Sequence, residues 1–316
     1  MILTAIALII PTILGYLLIS IILKEDDSGI IERICLSYPI GMGLLTMQMF
    51  LLGLLRIPIT LLYSSLPIFI ELIILTLYIL KKKIQLLPKI SSFDENKTEK
   101  SNLFVKLLML FLTILIVAKI GSIFLETYLR PIYAWDSWAN WSARAKAFYY
   151  SNSLLLNEHH EYFLGKNIVL SIISYPLHNP LSQIWISLWI GHFDEVYVKF
   201  WSPVYILCIT AYLYKFITKE INRIYASLIV IIFLSSPLLA YHSIEVYSDL
   251  TLGAYLFFIL SSFINVLRGK LAYLPITGLL SAESLFIKDE SLFFVIPLLL
   301  SLFIFLWKKR RYYILY

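Results

Sequence analysis

The chain has 316 residues, of which 60% are hydrophobic and only 15% charged, and its mean hydropathy is +0.83. Such values exclude an ordinary soluble domain and describe a polytopic, all-α membrane protein. The net charge of +6 would point to nucleic acid in a soluble protein. Here the lysines and arginines cluster at the ends of apolar runs, so topology accounts for them and no nucleic-acid partner is implied. The two cysteines, Cys35 and Cys208, both lie within apolar runs and suggest neither a disulfide framework nor a thiol metal site.

In chain order, Ile2 to Leu23 is uncharged and long enough to cross about 30 Å of hydrocarbon. It has no basic leader and no small-residue cleavage site, so it reads as a retained span. Further spans are expected to end near Leu55 and Leu80, the latter followed by Lys81, Lys82 and Lys83. With Lys89, Lys97 and Lys100, that triple lysine marks a cytoplasmic loop, which leaves the Asn96-Lys97-Thr98 sequon on the wrong side for glycosylation. Residues 1–102 thus form a three-span extension, and residues 103–316 a core. A fourth span, Leu103 to Leu125, runs outward. Glu71 and Lys119 are ionisable residues within spans.

The fourth span leads into YAWDSWANWSARAKAFYY, Tyr133 to Tyr150, which opens an outer loop over 130–196. As an α-helix this stretch carries Asp136, Asn140 and Arg144 on one face, and Trp138, Trp141, Ala145 and Phe148 on another. Tryptophan and tyrosine favour headgroup depth, so the helix is expected to lie in the membrane interface. The apolar stretch Pro176 to Ile190 is short for a span and begins with Pro176, His178, Asn179 and Pro180. Its Leu181, Ile184, Trp185, Leu188 and Trp189 form one amphipathic stripe, so an interfacial or re-entrant helix is expected rather than a span. If it does not cross, five more spans follow, at about Tyr197 to Phe216, Ile224 to Ala240, Leu250 to Val266, Leu271 to Ile287 and Leu292 to Trp307. Lys215, Lys219, Arg223, Arg268, Lys270 and Lys308 to Arg311 are then cytoplasmic, giving about nine spans with the N-terminus outside.

Under that topology the unusual polar residues gather on the outer face. These are Asp136, His178, the hairpin YHSIEVYSDL with His242, Glu245 and Asp249, and the cluster Lys288, Asp289 and Glu290. Each acid also has a local explanation as a helix cap or ion pair, but three connections converging beside aromatic helices suggest a site.

The order of an acid in a WDSW setting, a YPLHNPL element, a YSDLTLG loop and KDESLFF before an apolar span resembles the GT-C superfamily of integral-membrane glycosyltransferases, which includes protein O-mannosyltransferases and lipid A aminoarabinose transferases. The resemblance covers Leu103 to Trp307. It implies catalytic roles for Asp136 and Asp249 and matches Glu290 to a glutamate of bacterial relatives. The high Ile, Lys and Asn content hints at a bacterial source, hence a bacterial cytoplasmic membrane, and the topology puts the active site on its outer face. Two departures stand out: a lone Asp136 followed by Ser137 where many members pair acids, which leaves a divalent metal unsupported, and a chain ending at Tyr316, as in a short or incomplete member.

The expected reaction moves a sugar from a polyprenyl-phosphate donor to a hydroxyl of a lipid, glycan or protein acceptor. Asp136 serves as base, and Arg144, Lys146 and Lys288 contact phosphate. His178 and Glu245 complete the substrate-binding set. A transporter or channel subunit with Glu71, Lys119, Asp249 and Lys288 along a polar path is the alternative from another class, and a non-catalytic membrane scaffold is a third.

Overall fold

The computed structural model describes residues 1–24, 27–88, 102–155 and 175–314, the last six as backbone only. The lysine-bearing stretch from Lys89 to Ser101, with its sequon, lies outside the described residues, as do 156–174 of the expected outer loop. All regular structure among the described residues is helical. The helices are α1 (Ile2–Ile22), α2 (Ile30–Leu54), α3 (Leu61–Lys82), α4 (Leu103–Leu129), α5 (Ala143–Ser151), α6 (His178–Ile190), α7 (Trp201–Ile217), α8 (Arg223–Leu234), α9 (Pro237–Ser243), α10 (Ser248–Leu267), α11 (Leu274–Ser284) and α12 (Ser291–Ile314).

Seven of these helices are long and apolar enough to cross a membrane: α1, α2, α3, α4, α7 with the turn before it, α10 and α12. An eighth run breaks in two. Ser236 precedes Pro237, so its backbone is extended (ψ 118°), and α8 and α9 meet at 69°. The run from Leu271 to Ile287, expected as a ninth span, is a 3-10 turn and the 11-residue α11, about 16 Å long and too short to cross alone.

The core sits around α2, the most buried of the seven long helices. Its Gly41 lies against the Pro11 carbonyl of α1, and Gly15 of α1 lies against the Ser37 carbonyl of α2. A Cβ at either glycine would collide with backbone, so small residues here let the two helices touch directly. On its other sides α2 meets α6, α7 and α11, with Tyr38 donating to the Trp201 carbonyl at 2.6 Å and Tyr255 of α10 to the Pro39 carbonyl at 2.5 Å. Residues 1–102 and the remainder therefore share one core. By contrast, α4 packs mainly on α8 and is the least buried of the long helices.

Side-chain contacts divide the connections between two ends of the bundle. At one end Arg33 holds Ser28 and the Lys24 carbonyl, Lys219 pairs with Glu32 at 2.5 Å, Arg268 with Glu220 at 2.7 Å, and Lys270 reaches the Asp27 carbonyl at 3.0 Å. The opposite end carries Asp136, Asp249 and Lys288. Both termini of α6 stay near that second end. Its Asn179 binds Val246 and Ser248, and beyond its last turn Glu195 pairs with Lys146 of α5.

Helix α6 departs from the interfacial stripe expected of it. Every residue from His178 to Ser187 is buried, on the polar side as well as the apolar one. The reason is that its polar groups find partners inside the protein. Gln183 donates to Asn179 at 2.9 Å and accepts from Ser142 at 2.8 Å, while Trp185 donates to the Ala7 carbonyl at 2.7 Å.

Candidate functional site

The aromatic stretch after α4 folds locally into a π-helical turn, Ser137–Ser142, which continues into α5. In such a turn the fifth residue, rather than the fourth, returns over the first. Trp141 therefore lies above Asp136 and donates its indole N–H to Oδ2 at 2.7 Å, while Asn140 donates to Oδ1 at 3.3 Å. The expected Asp136–Asn140–Arg144 face is broken at its third member. Arg144 turns inward, is buried, and donates to the Tyr175 carbonyl at 2.9 Å, with Tyr175 stacked on Trp141 at 5.4 Å. Burial lowers the Arg144 pKa to about 10 and leaves it charged at neutral pH. Of the expected apolar face, Trp141, Ala145 and Phe148 are buried, but Trp138 is 56% exposed beside Trp135, which is 78% exposed.

Beside Asp136 stand the last turn of α9 and the connection from it to α10. The His242 and Tyr247 rings stack at 4.5 Å and 17°, with Tyr241 at 5.7 Å from Tyr247 and Tyr133 at 6.1 Å from Tyr241. Burial lowers the His242 pKa, and the charges of Asp249, Lys288 and Asp136 act on the same imidazole. The Tyr247 hydroxyl is held above its usual pKa by burial, by its hydrogen bond with Tyr241 and by the charges of Asp136 and Glu245.

Lys288 binds Asp249 at 2.8 Å and Glu290 at 3.2 Å. Its side chain is 15% exposed, whereas that of Asp249 is 47% exposed. Burial works against the ammonium, but the two carboxylates outweigh it and raise the lysine pKa. Pairs this open contribute only about 0–1 kcal/mol, so the triad orders the site without locking it.

Glu245 is placed differently. It is 0% exposed and lies behind the π-turn, 3.8 Å from Lys199, which also donates to the Pro131 carbonyl at 3.3 Å. Neither Glu245 oxygen nor the Ser137 hydroxyl meets hydrogen-bonding geometry with a partner among the described residues. Burial raises the Glu245 pKa; Lys199, the N–H groups of Tyr133 and Ala134 and the Ser137 hydroxyl pull it back. The pair thus ties the approach to Asp136 onto the α9–α10 connection.

His178 is likewise interior. Its Nδ1 is 2.8 Å from the Thr46 hydroxyl and its Nε2 is 3.3 Å from that of Tyr205, and burial pushes its pKa down to about 3. It is a neutral core histidine. Lys146 faces away toward Glu195 and the Phe193 ring, 5.6 Å from the ring centroid.

Of the residues picked out from sequence, Asp136, Asp249, Glu290 and Lys288 converge at one end of the bundle. Arg144, His178 and Glu245 are buried in the interior, and Lys146 lies apart. Sequence reading named His242 only as part of a hairpin and did not single out Tyr247. Their spacing across the break before α10 was the available signal. Among the described residues no group of three or more His, Cys, Asp or Glu side chains is arranged to hold a metal ion. The chain matches no family model, no curated protein and no solved structure.

Proposed function

We propose that the protein is an integral-membrane glycosyltransferase. In this reading it moves a sugar from a polyprenyl-phosphate donor to an acceptor hydroxyl at the Asp136 end of the bundle, facing outward from a bacterial cytoplasmic membrane. The observation that carries the reading is the convergence, on His242, of a carboxylate oriented by two donors and a lysine shared by two acids.

Asp136 spends one acceptor position of each oxygen on Trp141 and Asn140, and a carboxylate has about four such positions. It can therefore still take a proton from an attacking hydroxyl. Lys288 exchanges a weak triad for the phosphate of the donor and stabilises it as the bond to the sugar breaks. Asp249 and Glu290 set the position of that ammonium. Exposed Trp135, Trp138 and Tyr133 hold the end of the bundle at headgroup depth, where the reactive carbon of such a donor lies.

The test is to incubate the purified protein with a panel of polyprenyl-phosphate sugars and acceptors and to compare it with Asp136→Asn. Transfer by the wild type that is lost in the variant supports the reading. A protein that binds no such donor moves the balance to a transporter or a scaffold.

A further inference from the structure

Glu283, in the last turn of α11, takes no part in the site above and is 1% exposed. Its carboxyl lies against the backbone of α2 at Gly43, in the space that a Cβ at this position would occupy. Among the described residues it has no ion pair, and neither of its oxygens meets hydrogen-bonding geometry with a partner. Two tyrosine hydroxyls lie near it: that of Tyr255 of α10 faces it, and that of Tyr205 of α7, which shares a hydrogen bond with Tyr255, is within its field. Tyr205 in turn reaches neutral His178 at 3.3 Å.

An ionised carboxylate is not stable in such surroundings. Moving a charge out of water costs several kcal/mol, and only a cation or several donors would offset that. Tyr255 cannot act as the donor, because its one proton goes to the Pro39 carbonyl at 2.5 Å. Its oxygen still has an acceptor position. The hydrogen bond left to this contact is therefore one in which the carboxyl supplies the proton.

We propose that Glu283 is a buried proton-binding site: a neutral carboxylic acid whose O–H donates to the Tyr255 hydroxyl. Loss of the proton would require water or a cation to enter between α2 and α11 at Gly43, so protonation and the closure of these two helices are linked. This assignment does not depend on the transferase reading.

Infrared spectra of the full chain in lipid vesicles at neutral pH test it. The expected result is a protonated-carboxyl C=O band that moves down in D2O and is lost in Glu283→Gln. A Glu283→Gln difference spectrum that loses only ionised-carboxylate bands overturns the proposal, as does one with no change in the protonated-carbonyl region. Should that variant fail to fold, Tyr255→Phe removes the acceptor and is expected to shift the same band upward. An unchanged protonated-carbonyl region in Tyr255→Phe overturns the proposal equally.

Discussion

The two ends of the bundle use the same residue types in opposite ways. At the Arg33 end, cations reach across loops to backbone carbonyls and acids: Arg33 to Lys24, Lys270 to Asp27 and Lys219 to Glu32. Three connections are thereby fastened. At the Asp136 end, the fastening is done by stacked rings and by a pair hidden behind the site, Lys199 and Glu245. Asp136, Asp249 and Lys288 are left in front, ordered but accessible. Both ends pair charge with charge, but at the Arg33 end cations from separate loops also bind backbone carbonyls, whereas Lys288 is held by two carboxylates alone.

The largest effect that would break this contrast is expected at Asp136. Asp136→Asn retains an oxygen for Trp141 but removes the base, so turnover should fall by roughly two to four orders of magnitude with donor binding little altered. Steady-state kinetics with a binding measurement check this, and near-normal turnover would end the assignment. Next in size is the hidden pair. Glu245→Ala strands a buried lysine and should cost about 3–5 kcal/mol of stability in denaturant unfolding, the range for breaking a buried pair. A loss of activity with unchanged stability would instead make Glu245 part of the ligand site.

Arg33→Ala sharpens the contrast from the other side. It removes charged hydrogen bonds to Ser28 and Lys24, each worth about 1.5–3 kcal/mol, and should lower stability while the turnover of folded protein stays as it was. The smallest effect belongs to Lys288. Because its pKa is raised in the folded state, its contribution is complete below the ordinary lysine range and is lost as pH rises through the raised value. Lys288→Met should therefore flatten the stability profile only in the alkaline range and by no more than about 1 kcal/mol, while weakening donor binding at neutral pH. The ends themselves can be told apart by reporters after Lys219 and near Asn152, which should lie on opposite sides of the membrane.

The long helices were readable because apolar runs of spanning length are continuous in sequence. The run that holds α11 reads as a span in sequence because hydropathy does not register where a helix stops. The convergence of Asp136, Asp249 and Lys288 could be anticipated from which loops share an end. The inward turn of Arg144 could not, since it follows from one extra residue in a π-turn that no apolar periodicity records. Nor could the burial of His178, whose partner Thr46 is 132 residues away, or of Glu245, whose counterion sits on a different connection. Polar residues near span ends look alike in sequence; what separates an interior residue from a site residue is whether a distant chain segment arrives to pair with them.

The close contact of α1 with α2 bears on the order in which the protein is made. The glycines that interlock them, Gly15 and Gly41, and the carbonyls they meet all lie within the first 41 residues. The pair can therefore dock as soon as α2 has been synthesised and inserted, before α6, α7, α10 or α11 exists. Later helices assemble onto a surface that is already formed, and a side chain at Gly15 or Gly41 would be felt first as a defect of biogenesis.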